Sequence, residues 1–481
     1  MKVHLVFAPS FSQFEVLLEN LWPPLGALYL ASYLRARVPG VEVKVTDGCR
    51  IGYENTLKEI RRFAPDIVGI SFYTTGAYGA FRLTQDLKKE FPAMTVVLGG
   101  VHATALPEES LNASGADMVV SGEGEEVLCR IVKARLAGKS NAECRDIPGV
   151  GMKLDGVFAG NAPHKFISPL EDIPVPAWDL IDLKAYKGWY LTKRTPEMEM
   201  LFSRGCPYNC SFCSNIVWKS SAPALRLRSA KDIVDEMESL NKKHGINEIF
   251  DVSDELNNSI PHALEICREI KKRNLGIAWK TQLRVQPVTE ELAAALAESG
   301  CWSVHLGIES GNQATIDGVE KCIRISEIEN TCRILKKHNI RIFALLMLFN
   351  VWEKDGALRY EGAAETDNTL NFAWDLVRRG LIDYIGSSVT TPYPGSRLYD
   401  IALRHNIIKP SYLKNWEKWQ TDSLFVLNLP GVEDKDRRRI KLKGEFIRVF
   451  CLLKNQGFKW KDIIVFAKRA IHTTFRTIIQ N

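Results

Sequence analysis

The sequence predicts an α/β protein in three parts. A doubly wound, Rossmann-like domain is expected over residues 1–145, a partial (βα)6 barrel over 196–395, and a helical, basic region over 396–481, with a linker at 146–195. Three observations carry this. Short apolar runs alternate with helically spaced segments over the first 145 residues, as in a parallel sheet covered on both faces. Prolines 148, 163, 169, 174, 176 and 196, with Gly149, Gly151, Gly156 and Gly160, then break the periodicity. A second series of six strand–helix units follows over about 195 residues, short of the roughly 250 that a full eightfold barrel needs.

In the first series Val3–Ala8, Val41–Thr46, Ile67–Phe72, Thr95–Leu98 and Met118–Val120 read as strands. Leu25–Arg37, Tyr53–Phe63, Tyr78–Phe91, Leu106–Ala113 and Glu125–Ala137 read as helices. The irregular stretch reads as a short hairpin followed by a segment wrapping between domains. In the second series the strands are Met198–Phe202, Glu248–Val252, Ile277–Thr281, Ser303–Gly307, Arg341–Phe349 and Tyr384–Thr390, each but the last followed by a helical segment. In such sheets ligands bind at the carboxyl ends of the strands. The loops there are Pro9–Pro24, Thr46–Gly48, Tyr73–Gly76, Gly99–Thr104 and Ser121–Glu125.

The composition is that of a globular protein: 46% hydrophobic and 25% charged. The longest strongly apolar stretch, Ile340–Trp352, is interrupted by Arg341 and Asn350 and is too short to span a bilayer. With no secretory pattern at the N-terminus, a cytoplasmic protein is expected. The net charge of +6 sits in the tail, where residues 431–481 hold 13 basic and 5 acidic groups. That tail reads as a solvated helical cap, or as an amphipathic surface for peripheral contact with an anionic membrane. It lacks the aromatic interleaving of single-strand binders, so nucleic acid is not an expected partner.

Of 11 cysteines only three cluster, in Cys206-Pro-Tyr-Asn-Cys210-Ser-Phe-Cys213. The rest are scattered and odd in number, unlike a disulfide framework. A closed zinc site asks for four protein ligands, and no fourth lies near. Three thiolates on a four-iron cube leave one iron free for a small chelating ligand.

This C-x3-C-x2-C, with Phe212 before its last cysteine and placed after the first barrel strand, resembles the hallmark of the radical S-adenosylmethionine (SAM) superfamily. The resemblance implies a [4Fe–4S] cluster on Cys206, Cys210 and Cys213. It implies reductive cleavage of SAM to a 5′-deoxyadenosyl radical, with Phe212 against the adenine and Asp254, Glu309 and Ser310 near SAM. Thr391–Ser396 resembles a closing segment of this superfamily, with a structural role. Residues 1–400, through Pro23-Pro24-Leu25-Gly26, Gly99-Gly100-Val101-His102-Ala103-Thr104 and Gly122-Glu123-Gly124-Glu125, are similar to the cobalamin-binding-domain branch. That likeness implies cobalamin near Pro24, Tyr73, Thr74, Gly99, Gly100, His102, Thr104, Gly122, Glu123 and Gly124. The D-x-H-x-x-G motif is absent: Asp47-Gly48-Cys49 has no histidine after it, so cobalamin without a histidine ligand is implied.

The activity implied is cobalamin-dependent methylation of an unactivated carbon in a small-molecule or lipid substrate, with a flavodoxin- or ferredoxin-type electron donor. Two alternatives stand beside it. One is a radical SAM cyclase, C–C coupling or rearrangement enzyme. The other is a non-catalytic cobalamin- or metal-binding module.

Overall fold

The computed structural model describes residues 1–10, 22–186, 191–419 and 426–456. The middle of the Pro9–Pro24 loop, Phe425 and the tail from 457 therefore lie outside the described residues.

The N-terminal sheet has seven strands. Five run parallel, β1 (Lys2–Phe7), β2 (Glu42–Asp47), β3 (Ile67–Ser71), β4 (Thr95–Gly99) and β5 (Met118–Val120), in the order 2-1-3-4-5. The order reverses between β1 and β3, which opens a crevice at their carboxyl ends. The hairpin expected after residue 146 forms as β6 (Val150–Leu154) and β7 (Val157–Gly160). It extends this sheet, β6 pairing antiparallel with β5. The helices start and stop where side-chain chemistry dictates. Pro107–Ser114 has proline in its first turn, then Glu108 and Glu109 against the positive end of the helix dipole, and ends at Gly115 with φ +73°.

The second sheet is a curled parallel half-barrel. It begins with β8 (Glu197–Met200), which is followed by a short ribbon of β9 (Ser203–Arg204) and β10 (Arg226–Leu227). Then come β11 (Glu248–Asp251), β12 (Ala278–Arg284), β13 (Cys301–Glu309), β14 (Arg341–Leu348), a hairpin of β15 (Val351–Lys354) and β16 (Ala357–Tyr360), and β17 (Tyr384–Val389). The barrel order is 17-14-13-12-11-8, six strands, all parallel. The β15–β16 hairpin is absent from the sequence reading. Its signal was Asp355-Gly356, both at positive φ as a tight hairpin turn demands.

Sheet and helices pack through alternate residues. In helix Ala230–His244 the buried set Ile233, Val234, Met237 and Leu240 recurs at helical spacing, and Ser229 caps the first turn by accepting from Asp232 N at 3.2 Å. In the C-terminal region helix Asp434–Gln456 lies on β17 and on helix Ala363–Arg378, burying Ile440, Ile447, Cys451 and Leu452. This part of the basic tail is a helical cap, with Lys443 on Asp367 and Arg448 on Glu445. No helix among the described residues is long and apolar enough to cross a membrane.

Candidate active site

The cysteine loop leaves β9 through Gly205, whose φ of +90° and 2.0 Å approach of a would-be Cβ to the Ala224 carbonyl exclude any side chain. Cys206, Cys210 and Cys213 are all partly exposed and reduced. Burial and then Glu255 push the Cys206 thiol up to about 12, and burial and then Asp254 push Cys213 up to about 11. Bound iron would hold these sulfurs as thiolates. No three His, Cys, Asp or Glu side chains among the described residues converge tightly enough for a single metal ion. A four-iron cube is ligated at separate corners and does not require that convergence. The loop is pinned from several sides. Ser211 N donates to the Val319 carbonyl at 3.0 Å, Leu398 N to the Ser211 carbonyl at 2.8 Å, and Ser214 Oγ to the Pro394 carbonyl at 2.7 Å. The expected closing segment Thr391–Ser396 thus clamps the loop.

Around it stand the strand ends. Asp254 accepts from Asn215 Nδ2 at 2.9 Å, and burial raises its carboxyl to about 6. Glu255 lies 3.8 Å from Cys206 Sγ, 3.8 Å from Arg284 Nη1 and 3.7 Å from Lys321 Nζ. Glu309, at a register shift in β13, has φ +64° and meets Lys321 Nζ at 3.1 Å. A Cβ on Gly307 would sit 2.7 Å from Glu309 Oε1 and 2.8 Å from Lys321 Nζ, so a side chain there would displace this ion pair. Arg284 ends β12 with 2% exposure. Its guanidinium stacks on Tyr208 of the cysteine loop at 3.7 Å, and neither Nη atom has a hydrogen-bond partner among the described residues. A buried, unsatisfied guanidinium beside the three cysteines is matched by a carboxylate. Lys321 was absent from the expected site, whereas Glu255 lies in the acidic strand end 250–255, which resembles a SAM-contacting segment, and Arg284 ends another such strand. Lys321 gave no sequence signal.

The carboxyl edge of the N-terminal sheet faces this loop. Helix Ile216–Lys219, just after Cys213, packs on helix Val101–Ala105, just after Gly99-Gly100. A Cβ on Gly99 would meet nothing nearer than the Val120 carbonyl at 4.0 Å, and Tyr73 beside it is 59% exposed. The edge is therefore an open ledge with few side chains, close to the three cysteines.

Comparison with known proteins bears directly on this pairing. Residues 16–132 match the family described as B12 binding domain, and residues 200–360 match the radical SAM superfamily. The chain is 31% identical to an uncharacterized methyltransferase (PH0819) of Pyrococcus horikoshii, over 88% of this chain and 86% of that one. It belongs to the cobalamin-dependent radical SAM methyltransferase family. The anaerobic magnesium-protoporphyrin IX monomethyl ester cyclase of Rubrivivax gelatinosus is 28% identical over 94% of this chain and 84% of that one. The fold matches that of the radical SAM methyltransferase TsrM from Kitasatospora setae, solved with cobalamin and a [4Fe–4S] cluster, at a TM-score of 0.63 and 20% identity, covering 85% of this chain and 76% of that one.

A radical SAM enzyme of this family takes a [4Fe–4S] cluster, SAM and cobalamin, and the residues present fit them. The three cysteines would supply the cluster ligands, Arg284, whose Nη atoms have no hydrogen-bond partner among the described residues and whose ion partner Glu255 stands 3.8 Å away, would take a carboxylate, and the backbone at Gly99 would leave room for a macrocycle. The remaining expected residues make the following contacts within the protein. Glu123, expected at cobalamin, is instead a buried interdomain anchor, accepting from Arg204 at 2.9 Å and from Arg226 at 2.6 and 3.0 Å. Ser310, expected at SAM, is buried and donates to Glu361 Oε1 at 2.6 Å, within a network that includes Asn312 and Thr369. His102 is enclosed by Phe72, Phe81 and Trp416, and burial holds its imidazole neutral, down to about 3. Its Nδ1 meets Thr74 Oγ1 at 3.1 Å. Thr104 accepts from Gly122 N at 3.1 Å, Gly124 packs on Leu30, and Pro24 precedes the first helix. Phe212 packs half-buried on the core.

Proposed function

We propose that this enzyme methylates an unactivated carbon of a small molecule held in the barrel lumen, between the cysteine loop and the N-terminal ledge. The carrying observation is that helix 216–219 packs on helix 101–105, which sets the cluster loop beside the ledge. When bound, the cluster, SAM and cobalamin supply the electron, the hydrogen-abstracting radical and the methyl group. The chain's own groups bind and orient them. Cys206, Cys210 and Cys213 hold the cluster. Arg284 binds the SAM carboxylate, Asp254 and Glu309 its polar groups, and Phe212 its adenine. Tyr73, Thr74, Gly99 and Gly100 line the cobalamin site. A flavodoxin- or ferredoxin-type protein is the proposed donor, the cytoplasm the proposed location, and the basic tail a proposed contact with anionic membranes, which suits a lipidic substrate.

Anaerobic reconstitution with iron, sulfide and hydroxocobalamin tests the reading. Cobalamin is expected to stay with the protein through gel filtration, and dithionite to drive SAM cleavage that the Cys206→Ala, Cys210→Ala and Cys213→Ala triple variant lacks. A protein that retains no cobalamin would sink the methyltransferase reading. Undiminished SAM cleavage in the triple variant would sink radical chemistry. Methyl-labelled SAM separates methylation from cyclisation, since only the first puts label in the product.

A further inference from the structure

The lumen-facing side of the half-barrel carries a row of charges below the cysteine loop. Lys280 Nζ lies 2.8 Å from Glu197 and 3.7 Å from Glu248, and donates to the Leu191 carbonyl at 2.8 Å. Glu248 also accepts from Trp302 Nε1 at 3.0 Å and from the backbone of Lys193 and Arg194 at 2.7 and 2.6 Å. Both of these acids are thus paired with Lys280. Glu199 is not. It stands two residues above Glu197 on the same face of β8, beside Phe250 in the strand register. It is only 9% exposed, and no hydrogen bond or ion pair reaches it among the described residues. Burial and then Glu197 push its carboxyl well above the usual range. The surrounding surface is aromatic: Phe250 touches His305 at 4.7 Å and Trp22 at 5.6 Å, and His305 touches Phe343 at 4.8 Å.

We infer that Glu199 is the substrate-recognition residue of this chamber, and that the substrate carries a basic nitrogen which its carboxylate binds.

The argument is one of charge balance. Lys280 makes its close contacts with Glu197 and Glu248 and acts on Glu199 only as the smallest influence, against burial and Glu197, so a buried carboxylate at Glu199 has no counter-cation in contact with it among the described residues. A bound ammonium supplies one, and the aromatic faces around it stabilise a cation further. An anion in this position would face Glu197 and Glu199 together. The inference rests on the reading of the chamber as the substrate site, but its test does not use methyl transfer.

The probes are phenethylamine, 2-phenylethanol and 3-phenylpropionate, which share an aromatic end and differ in the charge of the other. Binding to the reconstituted holoenzyme is measured by equilibrium dialysis at millimolar ligand. Phenethylamine is expected to bind about tenfold or more tightly than the alcohol, the scale of a charge-assisted hydrogen bond, and the acid to bind least. Glu199→Gln is expected to abolish the preference for the amine while leaving cobalamin retention and substrate-free SAM cleavage at wild-type levels. Equal binding of the three probes, no binding of the amine, or an amine preference that survives in the variant overturns the inference. If the variant does not fold, the ranking of the three probes on the wild-type protein decides. Retained cobalamin and SAM cleavage with no amine preference refutes this inference alone, whereas loss of both cofactor readouts in the wild type refutes the proposed function.

Discussion

The two cofactor-bearing domains are joined by a buried ion cluster whose weight can be measured. Glu123, after β5, accepts from Arg204 and Arg226 of the β9–β10 ribbon, and all three side chains are at most 7% exposed. Arg204 keeps Glu125 at 2.8 Å if Glu123 is removed. Among the described residues Arg226 then keeps the Ile167 carbonyl at 2.9 Å and its stack on Phe166 at 4.1 Å. Glu123→Ala therefore leaves one buried guanidinium without a counter-charge, at a cost of about 3–5 kcal/mol. Burial by itself would raise the Glu123 carboxyl, but Arg204 and Arg226 outweigh it and hold it below its usual range, so it is charged in the folded protein at neutral pH. The assay is anaerobic urea unfolding followed by circular dichroism, comparing wild type, Glu123→Ala, Arg226→Met and the double variant. Each single variant should lower stability by several kcal/mol. The double should recover much of the loss, because it removes the stranded charge along with its partner. A Glu123→Ala variant within about 0.5 kcal/mol of wild type, the range of ordinary surface substitutions, would refute the assignment of this cluster as the interdomain anchor.

Arg284→Lys keeps the charge but loses the planar fork, and SAM affinity measured by equilibrium dialysis should fall about tenfold or more with iron content unchanged. Ser310→Ala should cost about 1–3 kcal/mol in unfolding experiments and leave SAM affinity intact, because its hydroxyl is committed to Glu361. Burial holds His4, His102 and His305 neutral, each down to about 3 from an unfolded value of 6.5. Their contribution to stability is complete above pH 6.5 and is lost as pH falls towards 3, because the unfolded chain then binds protons that the folded one refuses. The slope reaches about 4 kcal/mol per pH unit for the three together. Melting temperatures between pH 7 and 5 on the apoprotein should fall accordingly, and a His102→Gln variant should fall less steeply.

What the sequence by itself determined is whatever is local or periodic. The six barrel strands and five doubly wound strands appear within a residue or two of their expected places, apart from extra length at the ends of β12 and β13, because each writes a short apolar run (β1, β3, β4, β5, β14) or a strand-period alternation (β2, β8) into the chain. The three cysteines were legible because a cluster loop draws its ligands from eight consecutive residues. Tertiary structure alone decided the rest. Glu123 and Ser310 stand in loops that resemble cofactor-binding segments, yet their side chains turn to Arg204, Arg226 and Glu361, residues 51 to 103 positions away. Lys321 and Arg284 meet Glu255 only because the half-barrel curls three strand ends around one loop. Glu199 reads in sequence as one acid of an alternating Glu-Met-Glu-Met strand. Its isolation exists only in the folded lumen, where Lys280 is already taken by its two neighbours. Charge partners are set by distance in space, and no spacing along the chain encodes which of three carboxylates is left without one.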